Sequence, residues 1–125
     1  MAKEEKLNYV LQNNESGEVQ IADDVIAVIA GMAATEVEGV DSMAGNITNE
    51  VVSKLGMKNL SKGVKICINE DIVRVNLTLN LKIGCKMADV CSKVQERVKA
   101  MIENMTGLHV KNVDVRVAGV EVHNV

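Results

Sequence analysis

The chain has 125 residues, 47% of them hydrophobic and 25% charged, with a formal net charge of −3. That length holds one domain with a real core, and the composition is that of a folded protein, neither disordered nor basic enough to favour nucleic acid as a partner. Tyr9 is the only aromatic residue, which excludes base-stacking platforms and aromatic cages for quaternary amines and leaves an aliphatic core.

Residues 1–16, MAKEEKLNYVLQNNES, mix charge and paired asparagines around one apolar clump, Tyr9 to Leu11. They read as a flexible N-terminal arm, and residues 17–125 as a single domain. The opening MAKEEKLNYV lacks the apolar run of a signal peptide, and three cysteines, Cys67, Cys85 and Cys91, leave an odd thiol. A reducing cytoplasm is the expected compartment.

The stretch VIAVIAGMAA, Val25 to Ala34, has no polar side chain. Ended by Glu36 and Glu38, it is half the roughly 20 residues that span a bilayer, so no transmembrane segment is expected. Its spacing, with Asp23 and Asp24 suited to the positive end of a helix dipole, predicts a helix over 21–37. At 100° per residue, Val25, Ile26, Val28, Ile29 and Met32 gather on one side, which is expected to lie on a sheet. Ala27, Ala30, Gly31 and Ala34 gather on the other. That small side is either a solvated surface or a flat interaction surface admitting another helix or subunit. The second reading supplies a reason for Gly31, which costs about 1 kcal/mol relative to Ala inside a helix.

EGVDSMAG then predicts a turn into a short strand, Val40 to Met43. NITNEVVSKLGMKNLSKG predicts a short helix over Thr48 to Leu55, stopped by Gly56, and a loop. Lys54, Lys58, Lys62 and Lys65 follow one another with no acid between them. They are either a solvated lysine loop or an anion contact, for phosphate or an anionic lipid surface. After them the period changes to two. Val64, Ile66 and Ile68, then Val73 through Ile83, alternate with polar residues on either side of NED, which predicts a β-hairpin with one apolar and one wet face. The wet face collects Lys65, Asn69, Arg74, Asn76, Thr78, Asn80, Lys82, Asp114 and Arg116. Hydration accounts for these groups, and a protein-docking face built on Arg74, Asn76, Thr78 and Asn80 is the alternative.

From Lys86 to Met105 the helical period returns, with Met87, Cys91, Val94, Val98, Met101 and Met105 spaced by four and three and Val90 and Ile102 widening the stripe. Gly107 closes this helix, and Val113, Val115 and Val117 alternate as a last strand until Gly119 shifts the parity, as a bulge would. Strand, crossover helix and strand make a β-α-β unit whose strands run parallel. The fold class is therefore α+β: a two-layer sandwich with a mixed three- to four-stranded sheet and two main helices on one face.

No active site is visible. Cys85 is the best nucleophile, placed at a strand-to-helix junction beside Lys86, but nothing ties His109 or His123 to it as a base. The spacing of Cys85 and Cys91 matches no usual zinc pattern, and there is no phosphate-binding glycine loop or catalytic triad. No cofactor and no metal are expected.

Three segments carry a family resemblance: GEVQIADDVIAVIAGMAATEVEGVDSM, KGVKICI, and VCSKVQERVKAMIENMTGLHVKNVDVRVAGV. Together, from about Gly17 to Val120, they resemble the alkaline shock protein family of Gram-positive bacteria, which includes general stress proteins of the cell envelope. Ile83 departs from the tyrosine that family would place before Gly84. The resemblance implies a cytoplasmic protein without known enzymatic activity, engaged in envelope homeostasis under stress and sometimes held at the inner face of the membrane by a separate anchor protein. It carries over no catalytic residues. The expected function is thus a non-catalytic interaction protein that forms homo-oligomers and meets a membrane-anchored partner. A small-molecule or thiol-based activity at Cys85, or direct lipid binding by the lysine segment, are the alternatives.

Overall fold

The computed structural model describes residues 8–44 and 62–122. The helix expected over Thr48 to Leu55, with Lys54 and Lys58 and also His123, falls outside the described residues. In chain order the elements are β1 (Asn8–Asn14), β2 (Gly17–Ala22), α1 (Asp23–Thr35), β3 (Val40–Met43), β4 (Val64–Asn69), β5 (Ile72–Lys82), α2 (Met87–Thr106) and β6 (His109–Glu121).

The main sheet is built around β5. β6 pairs parallel to it on one side, while β4 and β3 pair antiparallel and share its other edge, β4 along Ile72–Leu77 and β3 along Leu79–Leu81. The handover falls at Thr78. Its N–H donates to the Gly63 carbonyl and its carbonyl accepts from the Ala44 N–H, each at 2.9 Å. The alternation expected of β5 places Val73, Val75, Leu77, Leu79 and Leu81 on the covered face, all but fully buried. The predicted hairpin turns at Glu70 and Asp71, with Glu70 in the left-handed region at φ 61°. The bulge expected at Gly119 is a register shift between β5 and β6.

Both long helices lie on the apolar face, as expected of a two-layer α+β sandwich. α1 packs over the β3 and β4 side, α2 over β6, and the helices touch each other. α2 buries Val90, Val94, Val98 and Ile102, a stripe with a period of four residues, leaving Met87 and Met105 at its ends exposed. Gly107 terminates it in the left-handed region at φ 78°, its N–H donating to the Glu103 carbonyl at 2.9 Å. One Glu103 carboxylate oxygen accepts from the Val110 N–H at 3.0 Å and so ties the helix end to β6.

Two expectations are corrected. The arm expected over 1–16 contains a strand: residues 8–14 form β1, which pairs antiparallel with β2 as a separate two-stranded sheet. Only the clump at 9–11 is apolar there, so no alternation marks a strand in the sequence. α1 is also turned about its axis from the expected orientation. Ile26 and Ile29 are buried, but so are Ala27, Ala30, Gly31, Ala33 and Ala34, whereas Val25 and Met32 remain 45% and 40% exposed. The helix must cover the sheet and meet α2 at once. Small residues let α2 come close, and burying them puts the bulkier Val25 and Met32 outward.

The junction of β3 and β4 yields a direct test. Gly63 sits at φ 75°, and a Cβ there would collide with the Ala44 carbonyl oxygen and crowd that of Thr78. Gly63→Ala should destabilise the domain by roughly 1–3 kcal/mol from backbone strain alone, and by more once the carbonyls are displaced, as measured by urea denaturation. A stability within about 0.5 kcal/mol of the parent would contradict this geometry.

Candidate functional site

One face of the sheet is covered by helices, and among the described residues the other is open. Because side chains alternate along a strand, every second residue of β4, β5 and β6 points to the open side, and the registers set them in rows. Lys65, Asn76 and Asp114 stand side by side, as do Cys67, Arg74 and Asn112, and Thr78 stands beside Arg116. Lys65, Arg74, Asn76, Asp114 and Arg116 are exposed, and Thr78 and Asn80 half-buried. A shallow depression of about 440 Å3 lies among Lys65, Asn76, Thr78, Asp114 and Arg116.

Three of these polar groups are already engaged within the chain. The Asn112 amide donates to the Asp114 carboxylate at 3.1 Å. The Asn80 amide donates to the Ser42 hydroxyl at 3.2 Å, and a Cβ at Gly119 would stand 2.9 Å from the Asn80 side-chain oxygen Oδ1. Asn80 thus braces β5 between β3 and the bulge, while Lys65, Arg74, Asn76 and Arg116 present charged and amide groups outward. Lys62 lies two residues before β4, next in the chain to Gly63, which lines the same depression. Of the four lysines expected as an anion contact, Lys65 stands on the open face, and Lys62 lies three residues before it in the chain. Asp114 and Arg116 were legible as wet-face residues, but their place beside Asn76 and Thr78 follows only from parallel pairing across 38 sequence positions.

The small-residue stripe is not an interaction surface. Ala30 and Ala34 are fully buried and Ala27 nearly so, and Gly31 is buried with them. The helix that approaches closely is α2 of the same chain. An ion pair between Glu36 and Arg97, 2.7 Å long and solvent-exposed, also joins the two helices and is worth at most about 1 kcal/mol.

The thiols occupy three different settings. Cys67 is exposed on the open sheet face. Cys85 is half-buried just before α2, in a depression of about 340 Å3 lined also by Glu38, Lys82, Lys86, Asp89 and Lys93. Cys91 is half-buried along α2, and burial first, then the neighbouring Cys85 charge, push its pKa up. His109 follows α2, bonded through Nδ1 to Glu103 at 3.4 Å. It is separated from Cys85 by the whole 20-residue helix, about 30 Å at 1.5 Å per residue. His109 therefore cannot act as a base for Cys85 in this structure. Among the described residues no cluster of three or more His, Cys, Asp or Glu is placed to hold a metal, and no helix is long and apolar enough to cross a membrane.

Two outcomes follow from this placement. Ala34→Glu should unfold the domain rather than merely dissociate it, and Ala30→Leu should cost roughly 1–3 kcal/mol by overpacking; an undiminished thermal midpoint in either variant would mean that the stripe is open. In single-cysteine variants, Cys91 should be alkylated more slowly than Cys67 at neutral pH. Its rate should climb as pH rises through the elevated pKa, because only the thiolate reacts.

Comparison with known proteins places this arrangement among relatives. Residues 11–122 match a family described as the Asp23 family, of cell envelope-related function; that label is unconnected with residue Asp23 of this chain. The uncharacterized protein YqhY of Bacillus subtilis is 34% identical over 110 residues, covering 88% of this chain and 82% of its own. The uncharacterized protein Spy1614 of Streptococcus pyogenes is 34% identical over 112 residues, covering 88% of this chain and 93% of its own. Among solved structures, a variant of the MamM CTD covers 78% of this chain and 95% of its own at a TM-score of 0.49 and 11% identity, too distant a likeness to bear on function.

Proposed function

The chain belongs to the Asp23 family, whose function is cell envelope-related, and from that premise we propose that it is a non-catalytic interaction protein. In this reading it acts in the cytoplasm, associates with copies of itself and is brought to the inner face of the cell membrane by a membrane-anchored protein. The observation that supports it most is the open face of the sheet, with Arg74, Asn76 and Thr78 in its middle strand and Lys65 and Arg116 on the strands beside it.

A face of this kind suits recognition of another protein. Its groups stand in rows set by the strand registers and are held on rigid backbone. They offer guanidinium, ammonium, amide and hydroxyl groups, and contacts of that kind give an interface its register and specificity. The same face is poorly suited to catalysis, which needs a nucleophile, a base and an orienting group within hydrogen-bond reach of one another. Cys67 on that face has Arg74 opposite it and no histidine in its row.

Recruitment by a protein and direct adhesion to lipid differ in what the membrane must contain. The purified chain should co-sediment with native membranes of a Gram-positive cell, lose that binding after protease treatment of the membranes, and fail to bind protein-free vesicles. Equal binding to anionic vesicles, abolished by salt or by neutralising Lys62 and Lys65, would replace the partner with the lipid surface itself. Light scattering across a concentration series tests the other half: the mass should rise with concentration, and a strict monomer would remove self-association from the function.

A further inference from the structure

Charge is segregated along this chain. Between Lys6 and Lys54 there is no Lys, Arg or His, and the same interval holds eight acidic residues. The fold turns this into two unlike surfaces. The β1–β2 hairpin carries Glu15 in its turn and Glu18 near it, both exposed, and no cation. The open sheet face carries Lys65, Arg74, Lys82 and Arg116, against Asp114 and Glu121.

The hairpin is also short of support. It forms a two-stranded sheet hydrogen-bonded to no other described strand, and β2 is exposed from Gly17 to Gln20, with Val19 48% exposed. Two strands alone are marginal in water and gain stability when a further layer covers them. The open sheet face lacks a covering layer of its own among the described residues, since both long helices lie on the other side.

We propose that the acidic hairpin of one copy docks across the basic open sheet face of a second copy, head to tail. This rests on the self-association reading and names its contact. Glu15 and Glu18 meet Lys65, Arg74 and Arg116, Asn76 and Thr78 supply hydrogen bonds, and Val19 supplies an apolar anchor. The two surfaces differ, so the contact is heterologous and leaves each pair with one free hairpin and one free face. A lipid surface fits the face less well. Its middle strand sets the short side chains of Asn76, Thr78 and Asn80 between Arg74 and Lys82, and Asp114 and Glu121 stand among the cations, where an anionic membrane would repel them.

Charge reversal from each side separates the outcomes. The face variant is Lys65→Glu with Arg116→Glu, and the hairpin variant is Glu15→Lys with Glu18→Lys; all four positions are exposed, and thermal melting verifies that each variant folds. Sedimentation of the parent chain should show association that weakens with added salt. Each variant alone should associate roughly tenfold more weakly, as expected from two lost or inverted surface pairs. Equimolar mixing of the two variants, or combining all four changes in one chain, should restore association. Should one variant fail to fold, the other tests the contact from the opposite side. A parent that associates while both variants match it would overturn this docking and leave self-association standing. A monomeric parent would overturn both. Binding of the parent to anionic vesicles, lost only in the face variant and without any effect of the hairpin variant, would assign the face to lipid and overturn the proposal.

Discussion

Every hydrogen-bonded ladder of the main sheet runs through one strand, β5. It holds β6 along one edge and divides its other edge between β4 and β3, so its eleven residues set the register of all three partners. The division works only because the chain leaves at Ala44 and returns at Gly63 on either side of Thr78, whose two backbone groups serve one strand each. A side chain at Gly63 would collide with that junction. The same strand supplies the centre of the core on one side and the middle row of the polar face on the other. Interior packing and surface chemistry are therefore two sides of one alternation.

The covering layer follows from the width of the sheet. With β3 and β4 sharing an edge, the sheet is only three strands across, roughly 10 Å between its outer strands, while two helices side by side also need 8–10 Å between their axes. The helices must therefore pack against each other as well as against the sheet. α1 meets both demands by burying a broad arc, Ile26 and Ile29 with its alanines and Gly31. α2 needs only the narrow row Val90, Val94, Val98 and Ile102. Alanine and glycine are thus spent inside the chain, where they permit close approach, and what remains exposed on α1 includes Val25 and Met32.

This packing buries the small residues of α1 and leaves the polar side of β4, β5 and β6 open among the described residues. Family membership supplies a cell-envelope context, and the open face sets guanidinium, ammonium, amide and hydroxyl groups in rows. Charge is divided as well. The acidic β1–β2 hairpin and the basic face of the main sheet belong to separate sheets of one molecule, an arrangement that favours oriented contacts over indiscriminate sticking. Two of the thiols stand apart from that face: burial raises the pKa of Cys91, and Cys85 is a helix length away from His109.

Much of this was legible in residue order alone. The period of two from Val64 to Lys82, the period near 3.6 from Lys86 to Met105, Gly107 as a stop and Gly119 as a bulge all come from local stereochemistry, and each stands in the structure, whereas Ile83, expected to continue the apolar face, lies past β5 and is 60% exposed. The quoted motifs carried the family as well, and the wet-face residues were readable from alternation. The orientation of α1 was not legible. A helix apolar all round has no polar side to mark the outside, so its rotation is decided by whichever neighbours it must satisfy. β1 was hidden for a related reason: its residues lack alternation, and it exists by pairing with β2. Likewise, the rows that set Lys65 beside Asn76 and Asp114 depend on pairings between distant segments. Sequence determined what each segment is, because backbone geometry and hydrophobic period are local; tertiary structure decided which surfaces remain free, because that depends on what packs against them.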